Sequence, residues 1–257
     1  MASDLHGRWV AITGASSGIG AAAALEFARC GAPLLLGARR IGRLRKIAAA
    51  ARAAGAPTAA VRRLDVADPR SVAAFVAWVR RVAGRVDIVV NNAGGAHGLD
   101  PVAEGREEDW RTMVEVNLLG VARMTRALLP LMPSNAGAYV INVGSVAGRD
   151  AYAGGAVYCA VKAAVRSLTR ALRLELLDRG IRVGCVQPGM TDTEFSAVRF
   201  KGDRERARKV YEGMTPLTAQ DVAGAIVWLA TRPPRVCVDE ITLLPTDQAD
   251  VHHVRRK

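Results

Sequence analysis

Tyr158 and Lys162 are separated by Cys159-Ala160-Val161, a spacing of four. On a helix, that spacing sets phenol and ammonium on one face, a turn apart. A free phenol titrates near ~10, too high for a base at neutral pH, and a nearby ammonium stabilises the phenolate and lowers that value. Ser145 closes the apolar run Ala138-Tyr139-Val140-Ile141-Asn142-Val143-Gly144-Ser145, where a hydroxyl can orient a carbonyl. Such a set moves a proton to or from an alcohol/carbonyl pair. Tyr-x-x-x-Lys alone is common, so its weight comes from its surroundings.

The surroundings include Thr13-Gly14-Ala15-Ser16-Ser17-Gly18-Ile19-Gly20. Glycines 14, 18 and 20 let a pyrophosphate approach the backbone over a helix N-terminus, with Ser16, Ser17 and Ile19 in the same turn. Arg39 and Arg40 follow the next apolar run, Leu34-Leu35-Leu36-Gly37-Ala38. An acid there would grip the ribose hydroxyls of NAD, whereas Arg suits the 2′-phosphate of NADP. Asp65-Val66 ends a third run, where a carboxylate can accept from an adenine amine. Asn91-Asn92-Ala93-Gly94 ends a fourth. Ala93 and Gly94 are small enough to admit the adenosine side, and Asn91 either touches the coenzyme or braces neighbouring strands.

These residues need a scaffold, and the sequence supplies one. Apolar runs at 10–13, 34–36, 60–64, 87–90, 138–143, 181–186 and 236–242 alternate with helix-length segments. Asp68-Pro69 reads as the N-cap and first position of a helix, and Gly55 and Pro57 stop another. Continuous apolar strands separated by helices mean a parallel sheet covered on both faces. The expected fold is α/β: a doubly wound Rossmann-type parallel sheet of about seven strands, helices on both faces, in a single domain over 1–257. The polar stretch 189–213 leaves a strand's carboxyl end and reads as a substrate lid.

The chain has 257 residues, half of them hydrophobic, with a net charge of +12. Only five of the 36 basic residues are Lys, and the arginines are scattered over many helices rather than gathered on one element, which argues against a nucleic-acid partner. Cys30, Cys159, Cys185 and Cys237 lack metal-ligand spacing and read as four buried thiols, with no metal expected. The N-terminus lacks a signal-peptide pattern and no apolar stretch reaches about 18 residues, so no membrane partner and a cytoplasmic location are expected. The tail 247–257, ending His252-His253-Val254-Arg255-Arg256-Lys257, reads as frayed or subunit-contacting.

Together the TGxxxGxG turn, the Asn-Asn-Ala-Gly strand end and the Ser145/Tyr158/Lys162 set resemble the short-chain dehydrogenase/reductase family, from about Arg8 to Thr246. The resemblance implies an NADP-dependent oxidoreductase acting on CH–OH groups. It makes Tyr158 the general acid/base, Lys162 a second contact to the nicotinamide ribose, and Ser145 the carbonyl-positioning group. Asn117 matches a fourth catalytic residue that anchors a relay water. Pro188, Gly189 and Thr191 match the segment beside the nicotinamide carboxamide, and Thr193 could serve in place of Thr191. The family also implies a homotetramer. A narrower likeness joins Thr193-Glu194-Phe195-Ser196-Ala197-Val198-Arg199-Phe200-Lys201-Gly202-Asp203, Tyr152-Ala153-Gly154-Gly155 and Leu243-Leu244-Pro245-Thr246 to the 3-hydroxy acid dehydrogenases. It implies a small 3-hydroxy acid / semialdehyde pair as substrate, with Arg199, and Lys201 near it, facing the carboxylate. The alternatives are a broad NADPH-dependent ketone or aldehyde reductase and a non-catalytic NADP-binding regulator.

Overall fold

A computed structural model of the chain describes residues 5–135 and 137–257. Strand β1 is Val10–Thr13, α1 Gly18–Arg29, β2 Leu34–Ala38, α2 Ile41–Ala53, β3 Ala59–Arg63, α3 Pro69–Val82 and β4 Ile88–Asn91. Helix α4 (Glu107–Val114) runs through a π-helical turn at Glu115–Leu119 into α5 (Gly120–Leu128). Strand β5 (Tyr139–Val143), α6 (Ala156–Glu175) and β6 (Arg182–Pro188) follow. Beyond β6 come the short β7 (Thr191–Asp192), α7 (Phe195–Arg199), α8 (Arg204–Lys209) and β8 (Leu217–Thr218), then α9 (Ala219–Ala230) and β9 (Glu240–Leu243).

Seven strands pair in the order β3-β2-β1-β4-β5-β6-β9, every pair parallel. Side chains alternate across the sheet, as strand geometry demands. Val10, Ile12, Leu34, Leu36, Ile88, Val90 and Ile141 face one way, into a core with α1, α2 and α9. Ala11, Leu35, Val89, Val140 and Val183 face the other, into a core with α3, α5 and α6. Both faces are therefore dry, which is why these strands read as unbroken apolar runs. The strand order reverses between β1 and β4, and the crevice at their carboxyl ends is the position for a ligand.

The sequence expectations hold for the sheet, with two corrections. The last strand begins at Glu240, not Val236, because the backbone of 236–238 bonds to side chains instead of to β6. Arg182 Nη1 donates to Val236 O at 3.0 Å, and Tyr139 Oη donates to Val238 O at 2.7 Å. Cys237 is exposed and Cys30, at the end of α1, is half-buried, so only Cys159 and Cys185 are buried thiols. Burial pushes the Cys185 thiol up to about 11. Among the described residues no helix is long and apolar enough to cross a membrane.

The lid segment is a folded excursion. Thr191 and Asp192 pair in parallel with Leu217 and Thr218, closing its base, and α7 and α8 lie between. The tail is not frayed. Gln248 Oε1 accepts from Met190 N at 2.8 Å, Lys257 N donates to Gly213 O at 2.7 Å, and Arg255 pairs with Asp247, so residues 247–257 strap the end of the lid.

Candidate active site

A cavity of about 560 Å³ opens at the carboxyl ends of β1, β2, β4, β5 and β6 and is roofed by the lid. All the residues singled out from the sequence line it except Gly20, Asn91, Asn117 and the lid's Lys201. Each exception has a physical reason. A side chain at Gly20 would meet Gly14 O at 2.7 Å, so this glycine lets the turn pack on itself. Asn91 spends its amide on Thr125 Oγ1 (3.0 Å) and Asn142 Oδ1 (2.9 Å), bracing β4 against α5 and β5 rather than touching a ligand. Asn117 sits in the π-helical turn and donates to Gly95 O (2.8 Å) and Met113 O (2.9 Å) while accepting from Gly95 N (3.2 Å). Its side chain fixes the strand-end loop from behind the cavity wall.

At one end, Gly14 and Gly18 have φ of +66° and +54°, a region that disfavours side chains. A side chain at Gly14 would also meet Ala93 Cα at 2.9 Å. Asn92 Nδ2 donates to Thr13 O at 2.9 Å and holds the turn against the β4 end. Ser17, the N-cap of α1, makes no side-chain capping bond, so the first-turn N–H groups remain donors for an anion. Arg39 is exposed at the rim and makes no hydrogen bond or ion pair among the described residues. Arg40 instead donates to Ser16 Oγ, Ser17 Oγ and Glu194. A glycine cradle, an open helix terminus and a free guanidinium fit a dinucleotide carrying an extra phosphate.

At the other end, α6 carries Tyr158 and Lys162 to the mouth of β5, both nearly buried at 7% and 6% exposure. Lys162 Nζ donates to Val143 O at 3.0 Å and lies 5.8 Å from the Tyr158 ring centre. A side chain at Gly94 would meet Asn117 Oδ1 at 2.7 Å, so this glycine lets the strand-end loop pack on Asn117. Ser145 caps a 3-10 turn by accepting from Ala147 N at 3.1 Å. The sequence reading had Lys162 lowering the phenol. The structure differs: burial holds the Tyr158 phenol well above its ordinary value, against opposing effects from Ser145 and Arg199. Burial also lowers the Lys162 ammonium to about 8. For both groups desolvation is the largest effect.

Arg199 lines the cavity from α7. Its Nε donates to Gly98 O at 2.9 Å and its own carbonyl accepts from Gly98 N at 3.0 Å. The guanidinium lies 5.4 Å from the Tyr152 ring centre and 5.6 Å from that of Tyr158. Its Nη2 is buried with no hydrogen-bond partner among the described residues. Lys201 is elsewhere: it pairs with Asp109 at 2.7 Å, outside the cavity lining, and so is not the anion contact that its spacing suggested. Sequence reading also missed Leu99, Phe195, Gln248 and Val251 as cavity residues. Nothing in their types signals a site, because only the folding of the β4–α4 loop, the lid and the tail brings them there.

A doubly wound sheet whose crossover crevice holds a glycine turn at one end and a Tyr/Lys/Ser set at the other defines a dinucleotide-dependent dehydrogenase. The sequence pattern of the short chain dehydrogenases matches residues 8–204, and the chain belongs to that family. It is 40% identical to an NADP-dependent 3-hydroxy acid dehydrogenase of Schizosaccharomyces pombe, over 99% of each chain. It is 42% identical to sulfoacetaldehyde reductase 2 of Chromohalobacter salexigens, over 93% of this chain and 95% of that one. A closed form of serine dehydrogenase complexed with NADP+ superposes with a TM-score of 0.89 at 36% identity, covering 97% of this chain and all of the other.

Proposed function

We propose that the protein transfers hydride between NADP(H) and a small 3-hydroxy acid / semialdehyde pair. One observation carries the substrate half of this reading: Arg199 lines the cavity with its guanidinium 5.6 Å from the ring centre of Tyr158. A three-carbon hydroxy acid has one carbon between its carbinol and its carboxylate. Both groups must therefore be met within a short span, and Tyr158 and Arg199 offer that span. A charge-assisted bond to a carboxylate is worth about 1.5–3 kcal/mol, and a neutral alcohol cannot exploit it.

When bound, NADP(H) supplies the hydride acceptor or donor. Gly14, Ser16, Ser17, Gly18 and Ile19 hold its diphosphate, and Arg39 its 2′-phosphate. Asp65, Val66, Ala93 and Gly94 hold the adenosine side, and Pro188, Gly189, Thr191 and Thr193 lie along the nicotinamide side. In alcohol oxidation the Tyr158 Oη takes the hydroxyl proton, and in carbonyl reduction it returns one. Ser145 Oγ, on the same cavity wall as the phenol, orients the oxygen. Lys162 supplies positive charge beside the phenol and reaches the ribose. Asn117 acts from behind, through the Gly95 loop. The same reading includes the family's homotetramer, consistent with Leu174 and Leu177, 76% and 71% exposed at the end of α6, and a cytoplasmic location.

The test is a turnover screen with NADP+ and NAD+ against serine, 3-hydroxypropionate and 3-hydroxyisobutyrate, beside neutral alcohols of equal size. NADP+ with hydroxy acids should dominate. Turnover of neutral alcohols alone would establish a broad ketone or aldehyde reductase instead. The Arg199 guanidinium would accept a sulfonate as well as a carboxylate, so isethionate belongs in the screen as a second reading.

A further inference from the structure

The lid is fastened to the coenzyme end of the cavity chiefly through one side chain, Glu194. Its Oε2 accepts from Arg40 Nη1 at 2.7 Å and its Oε1 from Arg43 Nη1. Arg40 continues the chain inward, donating from Nη2 to Ser17 Oγ at 2.5 Å and from Nε to Ser16 Oγ at 3.3 Å. The preceding residue, Thr193, lies directly over the glycine turn: a side chain at Gly18 would meet Thr193 Cβ at 3.4 Å. The two guanidinium groups hold the Glu194 carboxyl below the usual carboxylate range, so it is charged at neutral pH.

We infer that Glu194 is a positioning residue that holds the lid shut over the coenzyme's diphosphate and sets the rate at which the coenzyme leaves; this rests on the NADP reading above. The neighbouring arginines divide the work. Among the described residues Arg39 has no hydrogen bond or ion pair, whereas Arg40 is bonded to the lid and the turn. An acidic side chain beside a polyphosphate ligand is unfavourable by itself, and here two cations neutralise it, so its value lies in what it ties together. A diphosphate held by the glycine turn would lie beneath Thr193 and Glu194, and would leave only once these two ion pairs part. All three side chains are about half exposed, at 43–51%. Exposed pairs are individually weak and salt-sensitive, which suits a lid that opens in every turnover.

The test compares wild type, Glu194→Gln, Arg43→Ala and the double variant. Arg43 does not line the cavity, so it acts on the coenzyme only through Glu194. Stopped-flow displacement of NADPH should show dissociation about three- to tenfold faster in each single variant, with the double no faster than Glu194→Gln. The gap from wild type should close as salt approaches about 0.5 M. Amide hydrogen exchange of the coenzyme-free proteins should show residues 191–200 losing protection in Glu194→Gln. Unchanged or slower dissociation overturns the inference. Faster dissociation with unchanged lid protection also overturns it, because Glu194 would then act on the coenzyme directly. If wild type binds no NADPH, the coenzyme reading fails, and lid exchange still decides whether Glu194 is a clasp.

Discussion

Asn142 and Glu194 mark two ways of holding a site together. Asn142 is fully buried under the cavity floor, donating to Thr169 Oγ1 at 2.9 Å and accepting from Asn91. Beside it, Thr13 Oγ1 accepts from both Asn92 N and Ala93 N. Buried polar networks of this kind fix geometry tightly, although Asn91 Oδ1 has no hydrogen-bond partner among the described residues. Glu194 belongs to the lid, where α7 and α8 are five and six residues long and too short to be stable alone. Half-exposed ion pairs, one bidentate backbone contact at Gly98 and the tail hold that lid down. The floor carries the proton chemistry on strand ends and α6. The lid carries Arg199 and controls passage. On the proposed reading, reactivity sits on the buried floor and selectivity on the half-exposed lid.

The contrast breaks first at Tyr158. Tyr158→Phe removes only a hydroxyl from the rigid floor, so fold and coenzyme affinity should survive while turnover falls about 10²–10⁴-fold. Retained turnover at the optimal pH would take the proton step away from the floor. The raised phenol also sets a sign. Oxidation needs the ionised form, scarce at neutral pH, so kcat/KM for oxidation should climb between about pH 7 and 9.5. Reduction, which needs the protonated form, should not climb. A flat oxidation profile would contradict the burial argument.

A smaller effect is expected at the rim. Arg39→Ala should weaken NADP+ about 10- to 100-fold, as loss of a charge-assisted phosphate contact, and leave NAD+ nearly unchanged. Equal loss for both coenzymes would remove Arg39 from the 2′-phosphate. The smallest effect is on stability. Lys162 sits near 8 in the folded chain, below its unfolded value near ~10.4. The unfolded chain therefore binds the extra proton in that window, so the charge opposes folding below pH 8, and this opposition fades as pH rises toward 10. Coenzyme-free Lys162→Met should gain on the order of 1–2 kcal/mol at pH 7, shrinking toward pH 10. A gain that does not depend on pH, followed by thermal melts, would show that packing rather than charge is responsible.

Much of the floor was legible because its signals are local. Gly14 and Gly18 have positive φ, Asp68 caps α3 through Arg70 N, and Tyr158 and Lys162 share a helical face, all within a few residues. Asn91 was ambiguous from sequence, and only the register of β4 against β5 settles it as a brace. The lid was legible as a segment but not in its contacts. Arg199 and Lys201 are two residues apart, yet one lines the cavity and the other pairs with Asp109, because α7 ends between them and Lys201 takes φ +53°. The strap made by 247–257 was hidden for the same reason. Its partners, Met190 and Gly213, lie tens of residues away and carry no pattern.

The proposed function turns on the lid side of the cavity selecting a carboxylate through Arg199. The direct measurement is kcat/KM with NADP+ for a 3-hydroxy acid and for its methyl ester, in wild type and in Arg199→Met. The acid should be preferred in wild type by about tenfold or more, and the preference should vanish in Arg199→Met through loss of activity on the acid alone. An ester used as well as the acid by wild type, or a preference that survives in Arg199→Met, would contradict the account.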